Sequence, residues 1–291
     1  MHYVDEPKYD FVCDITAALL MFMQPLYIKQ FNPQHIIGQG SPFMLHNPTN
    51  LAVQPFALIC TFLFLRILKK QLYSENPKLL KDFLRLSLFS FLSTMAKPAF
   101  LQVFIPAIFI FLLVRLIRYK FKDFSFCLKL VVVFLPSLLN MVRVMLGEFF
   151  LPASEDSGGI AFGFFEVWSA HSPFIPVSIM LAAGFCLLYI ILKNIHISHK
   201  LDIGIILLCW LVGILEFGFI METGYRKYYG NFSWGYCTSL SIMYVFVTAE
   251  LLSNVFSKKF SIKKIGIPEV LTFIIFSVQF IQGSIYFFNL I

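Results

Sequence analysis

Charge is what this sequence has least of. Asp, Glu, Lys and Arg make up only 13% of the 291 residues, about half of the ~25% found in a water-soluble domain. No polar stretch is long enough to bury an aqueous core of its own, so a soluble enzyme, a disordered chain and a nucleic-acid-binding domain are all excluded. The six cysteines (Cys13, Cys60, Cys127, Cys186, Cys209, Cys237) form no C-x-x-C pair and lie in or beside apolar runs. They read as small packing residues, which excludes a disulfide-stapled secreted fold. No Walker A, G-x-G-x-x-G, H-E-x-x-H or G-x-S-x-G motif occurs, so an ATP-driven pump, a nucleotide-cofactor enzyme and a standard hydrolase lack support. An internal repeat of the kind carried by secondary transporters is also missing. His196 and His199 stand in a basic loop without a carboxylate or thiol nearby in sequence, and read as solvated rather than as a metal pair.

Apolar and aromatic residues fill the rest: 58% are hydrophobic and 18% aromatic, with 36 Phe and a mean hydropathy of +0.79. Lipid is the solvent such a chain requires. A spanning helix needs about 20 apolar residues, and candidate segments run over 11–28, 51–68, 126–149, 175–192, 203–221, 237–256 and 270–290. The opening segment is not a cleavable signal peptide, because Asp5, Glu6 and Asp10 make its leading region acidic and no small-x-small site follows.

Basic residues cluster at Arg66–Arg85, at Arg115–Lys129, at Lys193 and Lys200, and at Lys258–Lys264. The positive-inside rule assigns these loops, and the N-terminus, to the cytoplasm. On that reading the net charge of +7 reports topology rather than an anionic macromolecular partner. The stretch between Arg85 and Arg115 must then cross an even number of times. Lys97-Pro98 divides it, since Pro disfavours helix at the residue before it and lacks a backbone donor. Two short segments, 84–96 and 99–113, are expected to meet at Lys97 against a wet, protein-lined cavity. The expectation is an all-α polytopic helical bundle, a single integral membrane domain over 1–291 with about nine membrane segments including this Pro-broken pair.

Three polar loops fall on the side away from the basic clusters: 29–50, 151–174 and 222–236. In the first, Pro42 and Pro48 pin a loop that presents Gln39, His46 and Asn47, whose amide and imidazole groups suit sugar hydroxyls. Asn47 also has the position to cap the helix that follows it. The third loop brings Glu222, Arg226, Asn231 and Trp234 together with several tyrosines. An interfacial aromatic belt explains the rings but not the acid, the Arg and the amide. Arg presents a fork that fits phosphate, aromatic faces stack on sugar rings, and a carboxylate at a membrane edge is a candidate base. Ionisable groups inside apolar segments usually face a cavity or a partner. Of these, Lys97 and Arg143 are candidate phosphate ligands, with Glu148, Glu216 or Glu222 as the alternative ion-pair partners, and Asp14 and Glu250 read as snorkelling or structural.

At Gly38–Thr49, Ala96-Lys97-Pro98 and Glu222–Gly235 the chain resembles bacterial multi-pass proteins of cell-surface polysaccharide synthesis, broadly the GT-C class of integral membrane glycosyltransferases. The resemblance implies a bacterial plasma-membrane protein that takes a lipid-linked sugar donor and a glycan acceptor, with no cofactor. In that class an acidic residue of the first external loop is the base. Residues 29–50 contain no Asp or Glu, so the chain is expected to be a C-terminal portion whose leading helices lie upstream of Met1. The residues themselves assign Glu222 as candidate base, Lys97, Arg143 and Arg226 as phosphate ligands, and His46, Asn47, Gln39, Asn231 and Trp234 as sugar contacts, with no metal. The alternatives are a transporter or flippase using Lys97, Arg143 and Glu216, or a non-catalytic membrane partner.

Overall fold

The computed structural model describes residues 10–34, 38, 40–41, 47–74, 77–147, 159–193, 197–256 and 266–290. These residues are helical except for one two-stranded ribbon and the connections. Six helices are long and apolar enough to cross a membrane: α2 (Pro48–Tyr73), α4 (Ala99–Arg118), α5 (Phe124–Met145), α9 (Lys200–Phe219), α10 (Ser233–Phe256) and α11 (Ile267–Leu290). A seventh span is present if α7 (Ile175–Ala182) and α8 (Gly184–Lys193), bent by 76° at Ala183, count as one broken crossing. The integral membrane character read from composition is therefore carried by several apolar helices, while α1 (Asp10–Leu20) and α3 (Leu80–Ala96), at 11 and 17 residues, fall short of a full span. The remaining elements are β1 (Ile160–Phe162), α6 (Glu166–His171), β2 (Ile220–Glu222) and a 3₁₀ helix over Gly224–Tyr229.

The chain divides into two compact units, each discontinuous in sequence: Asn47–Phe164 with Leu208–Ser239, and Met1–His46 with Phe165–Leu207 and Leu240–Ile291.

In the first of these units, α2 starts where its cap chemistry directs. Asn47 Oδ1 accepts from the backbone N–H groups of Thr49 (3.0 Å) and Asn50 (3.3 Å), and Pro48 occupies the first helical position, where a missing donor costs nothing. α2 and α3 pack together, and Asp82, buried near the start of α3, takes Lys70 at 2.6 Å and Arg66 at 3.6 Å. α3 and α5 are joined by a buried polar ladder, with Ser137 Oγ donating to Ser90 Oγ (2.8 Å) and Asn140 Nδ2 to Thr94 Oγ1 (3.0 Å). Such hydrogen bonds align two helices where lipid supplies no hydrophobic contrast between them. Phe64, Phe100, Phe104 and Phe134 form the aromatic centre, with ring centroids 4.7–6.3 Å apart. α3 ends at Ala96 and α4 begins at Ala99, the break that Pro98 calls for. α4 runs on to Arg118 rather than stopping near Leu113, because Arg115 is satisfied in place by Asp123 (2.6 Å) and the face of Tyr119 (4.6 Å).

In the other unit the segment expected to be helical over 11–28 leaves the helix at Leu20. Pro25 biases Gln24 to extended backbone, and the backbone groups released there are taken by α11. Gln279 Nε2 donates to Gln24 O (2.8 Å), while Gln282 bonds both the N–H (3.0 Å) and the carbonyl (3.2 Å) of Tyr27. A Cβ at Gly283 would collide with the Phe22 carbonyl, so only glycine allows this approach. The same Gln279 accepts from Phe185 N–H (3.0 Å), and Tyr244 OH donates to Ala182 O (2.5 Å), which satisfies the bend between α7 and α8. His199, just before α9, is hydrogen-bonded to Glu250 rather than solvated, and Glu250 also accepts from Ser198 N–H (2.5 Å). This makes Glu250 a structural group, whereas His196 lies outside the described residues. All six cysteines are free thiols.

Candidate functional site

Where the α3–α4 break, the end of α5, the β1–β2 ribbon and the start of α10 come together, they enclose a cavity of about 350 Å³. Lys97, Gln102, Glu222, Arg226, Asn231 and Trp234 supply its polar and aromatic wall.

Local chemistry places each of these groups. Lys97 occupies the extended residue between two helices (φ −166°, ψ 130°) and so projects from the break rather than along a helix. Its ammonium lies over the Trp234 ring, 4.1 Å from the centroid, instead of against a carboxylate of the described residues. A cation–π contact of this kind contributes about 0.5–2 kcal/mol and leaves the remaining N–H donors directed away from the ring. Burial pushes the Lys97 ammonium down to about 8, which brings its titration within reach of neutral pH.

Glu222 is the last residue of β2. The ribbon pairs it with Ile160, and Thr223 closes the register through its N–H to Gly159 O (2.8 Å) and its hydroxyl accepting from Gly159 N–H (2.7 Å). The carboxylate is buried, and Asn231 Nδ2 donates to its Oε2 at 2.6 Å, which fixes its orientation at the cavity wall. Between these two residues the 3₁₀ turn begins at Gly224 (φ 71°) and ends at Gly230 (φ 66°), both in the left-handed region that favours glycine. The turn holds Arg226 exposed, with Nε donating to Tyr225 OH at 2.9 Å and the guanidinium 5.4 Å from that ring. The resulting wall has two cations, one carboxylate, two amides and an indole.

Other candidates fall elsewhere. Arg143 is exposed, its Nε donating to Asn140 Oδ1 (3.1 Å) at the end of the α3–α5 ladder, while its neighbours Val144 and Met145 reach the cavity. Arg143 itself is not among the residues that line the cavity. Asn47 caps α2 and leaves the wall to Thr49. Gln39 and His46 lie outside the described residues. Glu216 stands behind the wall: a Cβ at Gly235 would press on its Oε2, on Val103 and on the Ala99 carbonyl. Among the described residues that buried oxygen has no hydrogen-bond partner, an expensive condition in an apolar helix.

Two contributors were not foreseen. Gln102 lies one turn into α4, the one polar side chain before Arg115, where its amide was a readable signal. The β1–β2 ribbon has strands too short to show alternation. Among the described residues no three His, Cys, Asp or Glu side chains are grouped closely enough to hold a metal ion. No family model matches the chain, and comparison with curated proteins and with solved structures finds no match.

Proposed function

We propose that this is an integral membrane protein of cell-envelope polysaccharide assembly that takes a lipid-linked sugar phosphate at the outer face of a bacterial plasma membrane, with glycosyl transfer as its reaction. The observation that carries this reading is the convergence of Lys97, Arg226, Glu222, Asn231 and Trp234 on one cavity. Two cations match a phosphate, an indole face matches a sugar ring, and a buried carboxylate oriented by an amide matches the proton acceptor that a hydroxyl nucleophile needs. In such a transfer the acceptor hydroxyl gives its proton to Glu222 and its oxygen bonds to the anomeric carbon. The bond from that carbon to the phosphate oxygen breaks, and the lipid phosphate leaves with the electron pair. Lys97 and Arg226 stabilise the charge developing on the leaving group, the electrostatic role that contributes most in sites of this type.

The topology that goes with this reading has the basic loops 69–82 and 118–122 and the N-terminus cytoplasmic. The nine-segment arrangement counts α1, α3 and the α7–α8 pair as partial or bent crossings. The test is glycan transfer by the full chain in nanodiscs supplied with a polyprenyl-phosphate sugar and a glycan acceptor. Glu222→Gln should abolish turnover while leaving donor binding within about threefold, whereas Lys97→Met should weaken donor binding. Turnover unchanged in Glu222→Gln refutes the base assignment.

A flippase is the second reading, favoured by Glu216 behind the wall, whose buried Oε2 has no hydrogen-bond partner among the described residues. It predicts transbilayer movement of a fluorescent polyprenyl-phosphate sugar in vesicles that is lost in Glu216→Gln, with no transfer product formed.

A further inference from the structure

The cavity shares two of its helices, α4 and α5, with a second concavity. Gln102 of α4 and Val144 and Met145 of α5 belong to the polar cavity. From Ile105 to Leu116 on α4, and from Leu138 back to Phe124 on α5, the same pair of helices forms a groove of about 260 Å³ whose lining is entirely apolar apart from the Cys127 thiol. At about 1.5 Å of rise per residue, the α4 side of this groove runs ~16 Å, half of a ~30 Å hydrocarbon core. Its floor is built by the buried Ile108, Leu112, Leu130 and Phe134, and its rims by the exposed Phe109, Leu113, Leu128 and Val131. Both walls carry a proline inside the helix, Pro106 and Pro136. Pro106 follows the groove's first residue and removes the donor that would bond the Gln102 carbonyl, in the turn that separates the groove from the polar cavity.

We propose that this groove holds the hydrocarbon chain of an anionic lipid whose phosphate headgroup sits against Lys97 and Arg226, so that polar cavity and groove are two parts of one lipid-binding site. The inference rests on the proposed phosphate reading of the cavity and adds the place of the chain. Continuity is the argument for this occupant. A free phosphate would need only the cavity, and ordinary bilayer lipid would cover any convex, lipid-facing helix surface without a concave track beginning about two turns beyond Lys97 and one beyond Gln102. Both helices are among those long enough to span the membrane, so the track lies where an alkyl chain already is, and a chain entering it keeps its head at the cavity.

The test measures chain-length dependence of binding to the full chain in nanodiscs, using farnesyl phosphate against isopentenyl phosphate, which share a headgroup. The wild type should bind the longer probe at least tenfold more tightly. Val131→Trp and Leu113→Trp, which fill the groove from its exposed rim, should bring that ratio near one. Val132→Trp, exposed on the adjacent face of α5, should leave it unchanged and controls for bulk and folding. Lys97→Met should weaken both probes by a similar factor and preserve the ratio. A ratio that survives both rim substitutions, or falls equally in Val132→Trp, overturns the groove while leaving the phosphate site standing. A ratio that collapses only in the rim variants, with Lys97→Met binding both probes normally, keeps the groove and removes the phosphate reading.

Discussion

Replacing Lys97 by Met keeps much of the aliphatic stem and the contact with Trp234 while removing the charge. Two unit charges ~4 Å apart at an effective dielectric of ~20 attract by about 4 kcal/mol. Much of that is lost to dehydration of the partners, and a hydrogen bond to a charged group retains about 1.5–3 kcal/mol. Lys97→Met should therefore weaken binding of farnesyl phosphate about 10- to 150-fold at pH 7. The pH profile gives the sharper test. With the ammonium lowered to about 8 by burial, it is charged at pH 7 and mostly neutral at pH 9, so wild-type affinity should fall about tenfold across that interval. A phosphate monoester, whose second pKa is near 6, stays doubly charged throughout, and Arg226 stays protonated.

Lys97→Met should give a flat profile, and Lys97→Arg should hold its affinity at pH 9. Stability should move in the opposite direction. A Lys pKa lower in the folded than in the unfolded chain means that the unfolded state binds more protons between about 8 and 10.5, so stability rises with pH over that window. Titration calorimetry at several pH values measures the binding. Wild-type affinity that does not change from pH 7 to 9, together with a loss under twofold in Lys97→Met, would refute a phosphate role for this lysine.

Gly235→Ala should destabilise the chain by about 1–3 kcal/mol by overpacking, despite alanine's better helix propensity, because the added Cβ meets Glu216, Val103 and the Ala99 carbonyl; a raised unfolding temperature would contradict this. Gln279→Leu strands the Phe185 N–H and the Gln24 carbonyl, and at about 1–3 kcal/mol for each buried unpaired group should lower the unfolding temperature far more than Ser277→Ala on the exposed part of the same helix. For topology, cysteines introduced at Ser74 and Tyr228, both exposed, should react differently with an impermeant maleimide on intact cells in a background free of the native thiols. Tyr228→Cys should be labelled and Ser74→Cys protected, and the reverse pattern inverts the orientation.

Breaks and spans were legible to different degrees. Pro98 alone located the turn at Lys97, because proline acts on its own neighbourhood and needs no tertiary context. Pro25 carried the same information about Gln24, yet the apolar run around it suggested one continuous helix. The bend at Ala183 has no proline beside it, since Pro176 sits in the first turn of α7, seven residues earlier. What stabilises it is Gln279, distant in sequence, whose amide supplies the partners that the bent backbone gives up. The cavity at Lys97 depends on a similar long-range event, since Glu222 reaches the wall through a ribbon whose other strand lies some sixty residues earlier. Three-residue strands are too short to reveal a period of two, so periodicity could not find them. Arg143 shows how helix phase decides a role: three residues after Asn140 it lies over the α3–α5 ladder, whereas Val144 and Met145 face the cavity.

Isolated polar side chains within apolar helices carried a signal that the sequence reading did not use. Gln279, Asn140 and Gln102 each mark a place where backbone, a neighbouring helix or a cavity needs a hydrogen-bonding partner, because lipid offers none and an unsatisfied group at that depth costs several kcal/mol. Glu216 belongs to the same set, but its buried Oε2 has no hydrogen-bond partner among the described residues. By the reasoning that explains the other three, its buried carboxyl oxygen is a place where a partner beyond the described residues would be stabilising.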